Sequence, residues 1–212
     1  MIAAIVFHEV AHGYAANMLG DSTAAERGRL SLNPLTHVDP FGTIILPLML
    51  ALAHAPVFGW AKPVPLNPRR LRNPRVDGVL VALAGPLMNL FMGALATVAL
   101  GAFVAWQGDV PTEGLSRFVV ANLFHFLMIN IFLCIFNLLP IPPFDGSHVV
   151  EGLLPRPLAI RYAQIGRYGL LVMVLLIWVL PMLSPRLDVI GRVIGPLANS
   201  IARVFLGGVY LA

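Results

Sequence analysis

Four long stretches of this chain carry no charged side chain: Pro40–Ala61, Gly78–Gly108, Phe118–Phe144 and Tyr168–Pro185, of 22, 31, 27 and 18 residues. About 20 apolar residues cross the hydrocarbon core of a bilayer, and there the backbone must satisfy its own hydrogen bonds, which a helix does. The runs therefore predict an all-α, polytopic transmembrane helix bundle. Composition excludes a soluble alternative: 58% of the 212 residues are hydrophobic and 11% are charged, against roughly 25% charged in a soluble domain. The same balance excludes intrinsic disorder.

The formal charge of +4 does not point to nucleic acid, because the basic residues cluster between apolar runs, where they orient a chain in a membrane. The single cysteine, Cys134, lies in an apolar run and is read as a small apolar filler. One cysteine permits neither an intramolecular disulfide nor a Cys-rich metal site. Any metal must be held by His, Asp or Glu.

Along the chain, Met1–Leu19 is apolar apart from His8, Glu9 and His12, and stops at Gly20-Asp21. It is short for a span, and only seven residues precede His8, so chain upstream of Met1 is expected. Residues 21–39 are polar. Phe41–Trp60 is apolar but interrupted by Pro47, His54 and Pro56, and either spans or folds back. Ala61–Asp77 combines Lys62, Arg69, Arg70, Arg72 and Arg75 with four prolines, the signature of a cytoplasmic loop. Helices are expected over 78–107, 118–139 and 162–183. In the tail, Asp188, Arg192, Asn199 and Arg203 fall on one helical face, which favours an interfacial amphipathic helix over another span.

The polar trio sits in Phe7-His8-Glu9-Val10-Ala11-His12, an H-E-x-x-H pattern. On a helix, side chains four positions apart share a face, so two imidazoles can meet one zinc ion while Glu9, beside it, can take a proton from a water that the metal activates. An ionisable side chain within the membrane costs on the order of 2.5–3.5 kcal/mol and requires a compensating partner. A zinc ion is one. The alternative, a structural polar cluster, leaves that cost uncompensated. A catalytic zinc also requires a third protein ligand and an open position. His37, His54, His125, His148 and the carboxylates are candidates. Asp145 stands out because it closes a long uncharged run and sits in the Pro-rich turn Pro140-Ile141-Pro142-Pro143-Phe144-Asp145-Gly146.

Three blocks together resemble the site-2 protease family of intramembrane zinc metalloproteases: the H-E-x-x-H helix, Ala84-Gly85-Pro86-Leu87-Met88-Asn89, and Asn137-Leu138-Leu139-Pro140-Ile141-Pro142-Pro143-Phe144-Asp145-Gly146. With Gly59-Trp60-Ala61-Lys62-Pro63-Val64-Pro65 they cover residues 1–150, and they look like the compact prokaryotic branch without PDZ or CBS domains. The resemblance implies a single integral-membrane peptidase domain over 1–212. Its metalloprotease core of three helices lies in 1–150, with a further span at 162–183 and a membrane-associated tail at 186–211. It implies that His8, His12 and Asp145 hold one catalytic zinc, that Glu9 is the catalytic base, and that the substrates are membrane proteins cut within or near a transmembrane helix. The family topology places 21–39 and 61–77 together in the cytosol, and the asymmetry of basic residues favours it, with 41–60 re-entrant. The compact form implies a multi-pass protein of the cell membrane.

Asn89 and Asn137 are candidates for contacting substrate or oxyanion, Asn137 because its amide can donate to a carbonyl and Asn89 against a simple packing role beside Gly85-Pro86. Asn122, His125 and Asn130 read as interhelical hydrogen-bonding groups. The segment around Trp60 and Lys62 is either an interfacial anchor or an extended edge to which a substrate strand can add. Two other functions fit the intramembrane polar residues: a metal-binding transporter or channel, and an inactive pseudoprotease that binds transmembrane helices.

Overall fold

The computed structural model describes residues 1–54, 59–111 and 113–210, and there is no strand among them. The principal helices are α1 Ile2–Met18, α2 Pro40–Leu52, α3 Pro74–Gln107, α4 Gly114–Asn137, α5 Asp145–Leu153, α6 Arg156–Leu183 and α7 Gly195–Tyr210. Three of them, α3, α4 and α6, are long and apolar enough to cross a membrane. The protein is an all-α membrane helix bundle.

At about 1.5 Å per residue, α1 with its 17 residues reaches about 26 Å, just short of the roughly 30 Å apolar layer. With 34 residues, α3 runs well beyond that thickness. It begins at Pro74, not at Gly78, so the loop expected over 61–77 ends at Asn73. The cause is local. Asn73 accepts from the Val76 N–H, Pro74 occupies the first helical position, and Asp77 accepts from the Asn73 N–H at 2.7 Å in return. This reciprocal cap satisfies donors that a helix start leaves open. The start of α6 is likewise earlier than the expected 162, because Pro155 and Pro157 set up its first turn before the apolar run begins.

With 13 residues, α2 is a short apolar helix. The chain then returns to where α2 began: the Trp60 N–H donates to Gly42 O at 3.1 Å and Thr43 Oγ1 donates to Trp60 O at 2.8 Å. Gly42 packs so tightly on the Trp60 indole that a Cβ there would enter the ring. Both ends of the 41–60 excursion thus lie together, the geometry of a segment that folds back. Residues 55–58, with Pro56, lie outside the described residues.

The bundle core forms where α3 and α4 meet α7. Leu127 and Ile131 are fully buried against Ala96, Ala198 and Ala202, small residues that let helices approach closely. The tail helix therefore lies against α3 and α4 by its alanine face. Asp188, expected to share a polar face with Arg192, instead caps the turn before α7 by accepting from the Gly191 N–H at 2.8 Å.

Candidate metal centre

Two helices bring the chemistry together. From α1, His8 and His12 point their rings inward toward α3, both buried. Room for them comes from Gly85 of α3, where a Cβ would lie 2.6 Å from His8 Cε1 and 2.7 Å from His12 Cε1 and would strike His12 Nε2 as well. Pro86, fully buried, follows it, and the carbonyl of Val81, four residues before Gly85, accepts from His12 Nδ1 at 2.7 Å. Behind His8, its Nδ1 meets Asn89 Oδ1 at 2.6 Å.

The third group arrives from α5. Asp145 is the first residue of that helix, where the helix dipole favours a negative charge. Its position is fixed by its neighbours. Phe144 is buried on the Phe136 ring of α4, centroids 4.4 Å apart, and Gly146 packs on the Leu138 and Leu139 carbonyls so closely that no side chain fits. Gly169 of α6 closes on Pro143, and Tyr162 OH donates to Pro140 O at 2.8 Å. The proline-rich turn is held from three sides.

Asp145 Oδ2 lies 3.1 Å from His8 Nε2 and 3.3 Å from His12 Nε2, and the two Nε2 atoms are 3.1 Å apart. Both Nδ1 atoms meet acceptors behind the rings, so the Nε2 atoms are free to turn their lone pairs toward a carboxylate oxygen that is buried and has no hydrogen-bond partner. Three electron-rich atoms converging on one point repel unless a cation sits among them. Ligand atoms 2.0–2.1 Å from one ion at tetrahedral angles stand about 3.3 Å apart, close to the separations found. The donor set fits zinc.

Glu9, half-buried, lies in the wall of the same cavity as His8 and His12, where its Oε2 accepts from the Val64 N–H at 2.9 Å. Near Val64, the Trp60 N–H goes to Gly42 O and the Lys62 N–H to His37 O, while Pro63 and Pro65 have no N–H to give. Arg29 takes the Lys62 and Pro63 carbonyls.

An open cavity of about 1590 Å³ joins these groups, with His8, Glu9, His12, Val64, Asn137 and Asp145 in its wall. Asn137 donates one amide hydrogen to Leu133 O at 3.0 Å and is half-buried. Asn89, by contrast, is fully buried behind His8 with both ends of its amide bonded. Among the described residues no other histidine joins this group, although His148 lies in the same cavity wall. His37 is buried at the end of the short 3-10 helix Pro34–His37 with Nε2 donating to Ser31 O, His54 is exposed after α2, His125 is exposed and bonded to its own helix at Ala121 O, and His148 is exposed beside Glu151. Reasoning from spacing found neither the glycine that makes room for the rings nor the backbone donor to Glu9; the Gly85-Pro86 pair was the available signal for the first.

Residues 106–180 match the family model described as Peptidase family M50. The chain is 40% identical over 179 residues to "Putative zinc metalloprotease YwhC" of Bacillus subtilis, covering 83% of this chain and 77% of that protein. It is 30% identical over 177 residues to "Putative zinc metalloprotease Rip2" of Mycolicibacterium smegmatis, covering 83% of this chain and 64% of the relative. No solved structure gives a significant match. Similarity that runs through most of this chain and most of YwhC, on a helix bundle that gathers the H-E-x-x-H histidines and a distant aspartate, places this zinc metalloprotease in peptidase family M50, the site-2 protease family, to which the chain belongs.

Proposed function

We propose that the protein is a multi-pass endopeptidase of the cell membrane that hydrolyses peptide bonds within or near transmembrane segments of other membrane proteins. The observation that carries the proposal is the convergence of His8, His12 and Asp145 in the wall of a large open cavity, inside a bundle whose long helices are apolar enough to span. Nothing about the site calls for nucleic acid, and the bilayer itself is the expected surrounding partner.

In this reading His8, His12 and Asp145 hold one zinc ion. When bound, the metal supplies Lewis-acid chemistry, lowering the pKa of a water and polarising the scissile carbonyl. Glu9, next to His8 in sequence and in the cavity wall, accepts the proton of the attacking water and returns it to the leaving amine. The Val64 N–H bond steadies that carboxylate through one oxygen and leaves the other available. Asn137 has an amide hydrogen left after its bond to Leu133 O, and it presents this hydrogen to the carbonyl oxygen of the substrate. Asn89 has no free amide hydrogen and acts from behind His8. A substrate helix conceals its amides in its own hydrogen bonds, so it must unwind locally to enter. The cavity gives the opened segment and water a place to meet.

The decisive comparison is wild type against Glu9→Gln, reconstituted with a panel of single-span membrane proteins. Glu9→Gln is expected to lower cleavage by about 10²–10⁴-fold, the usual worth of a positioned general base, while zinc content stays at wild-type stoichiometry. Full cleavage by this variant would overturn the mechanism. Asp145→Ala is expected to lose the equimolar zinc of the wild type; retention would remove Asp145 from the ligand set.

A further inference from the structure

Behind the cavity wall lies a second polar set that no step of the proposed reaction uses. Asn89 on α3 and Asn130 on α4 are both 0% exposed, in a layer otherwise built of Ala4, Gly93, Leu127 and Ile131. A primary amide in such surroundings is costly unless every group on it is paired. Here each amide has a partner at both its oxygen and its nitrogen, and the pairing has a direction.

Two backbone carbonyls, which can only accept, set that direction. Phe126 O takes Asn130 Nδ2 at 2.8 Å, so Asn130 turns its Oδ1 toward Asn89. Asn89 Nδ2 donates to that oxygen at 2.9 Å and to Ala4 O at 3.1 Å, which uses both of its hydrogens. Asn89 Oδ1 is left as the atom 2.6 Å from His8 Nδ1, and an amide oxygen can only accept. The proton of His8 therefore belongs on Nδ1. With the opposite amide orientation, Asn89 would aim a hydrogen at that nitrogen and draw the lone pair away from the cavity.

We infer that Asn89, backed by Asn130, is a positioning residue that fixes His8 in its Nδ1–H tautomer and aims Nε2 at the point it shares with His12 and Asp145. The inference rests on the metal reading given under Proposed function. A hydrogen-bonded outer partner of a metal-binding histidine is typically worth about 10–100-fold in metal affinity. His12 receives the equivalent service from the Val81 carbonyl. His8 has no such backbone partner among the described residues, and a side chain from α3 supplies it.

The test measures zinc affinity by chelator competition on detergent-purified protein, together with ¹⁵N chemical shifts of the His8 ring in the metal-free protein, which distinguish the two tautomers. Asn89→Leu keeps the volume and removes the acceptor; it is expected to weaken zinc binding by about 10–100-fold and to lose the Nδ1–H signature. Asn89→Asp keeps an acceptor toward His8 but gives up the donors to Ala4 O and Asn130 Oδ1, and is expected to bind zinc between wild type and Asn89→Leu with the Nδ1–H signature intact. Asn130→Leu leaves the His8 contact and the Ala4 O anchor in place, so its loss is expected to be smaller than that of Asn89→Leu. This variant and Asn89→Asp test the relay even where Asn89→Leu does not fold. Wild-type affinity in Asn89→Leu, or an unchanged tautomer there, would overturn the positioning role, as would an Asn89→Asp protein no better than Asn89→Leu. A His8→Ala protein that binds zinc as the wild type does would instead overturn the metal reading.

Discussion

At Gly85 a single missing carbon decides whether two imidazoles can share one point, because the space a Cβ would take is already filled by both rings. Gly85→Ala is therefore expected to push His8 and His12 apart and to lose zinc, although alanine favours a helix by about 1 kcal/mol relative to glycine. Zinc content and thermal unfolding measured together will show the two effects with opposite signs; zinc retained at wild-type level would contradict the close approach. Asp21 is a second residue with an outsized effect. Burial alone would raise its carboxyl, but donors from the Asn67 N–H and from the hydroxyl and N–H of Thr23 outweigh that and hold it below the usual carboxylate range. A depressed carboxyl stabilises the fold at pH values above the ordinary carboxylate range, and the stabilisation is lost as pH falls through it, beginning near about pH 4. The join between α1 and the 61–73 loop should then become more sensitive to an acid-active protease such as pepsin, and Asp21→Asn should flatten that pH dependence.

Among the elements, α5 has the most demanding task with the least material. Nine residues make only about 13 Å of helix, too little to be stable alone, yet Asp145 at its start must meet histidines from α1. The other end is tied down. Arg75 at the start of α3 donates from Nε to Gly152 O at 2.7 Å and from Nη2 to Leu154 O, and Gly152 sits directly on Val79. Since α3 also carries Gly85, one helix sets the position of both halves of the ligand group. Arg75→Ala should lower stability by about 1 kcal/mol and weaken zinc binding several-fold while leaving the fold intact, as read by thermal unfolding and chelator competition. Lysine, a point donor, should not restore both bonds.

The elements also show what the sequence made legible. The H-E-x-x-H pair was readable because its spacing is local, and the long apolar runs announced α3, α4 and α6 because the bilayer fixes their length. The start of α3 was misplaced by four residues, since Arg75 and Asp77 read as loop charges although Asn73-Pro74 is helix-start chemistry. The partners of His8 lie 81 and 122 positions downstream in Asn89 and Asn130 (the second acting through the first), and no local rule pairs residues so far apart. Asn130 reads as an interhelical hydrogen-bonding group, which it is; that the bond leads through Asn89 to His8 required the fold.

For the molecule as a whole, the excursion at 41–60 decides which loops share a compartment. Its two ends meet at Gly42 and Trp60, and Lys62 donates to His37 O at 2.8 Å, so the loops on either side are in contact. Arg27 and Arg69 are therefore expected on one face of the membrane, and Asp109, at the far end of the 34-residue α3, on the other. Single cysteines introduced at these positions in a Cys134→Ser background should react with an impermeant thiol reagent in that pattern; Arg27→Cys and Arg69→Cys labelling from opposite sides would refute it.

The wide separation of His12 from Asp145, 133 positions along the chain, also bears on how such a protein is made. A protease confined to the same membrane as newly inserted helices is a hazard to its neighbours while it is still emerging. On the proposed ligand set, a growing chain that has delivered α1 carries a metal-binding pair and a base but no centre. The last ligand follows α4, and Pro143 in its turn is then packed on by α6, a helix synthesised later still. On that ligand set, activity waits by the order of the residues alone until Asp145 and α6 have been made, and a chain stopped before Asp145 should insert in the membrane without ever cutting.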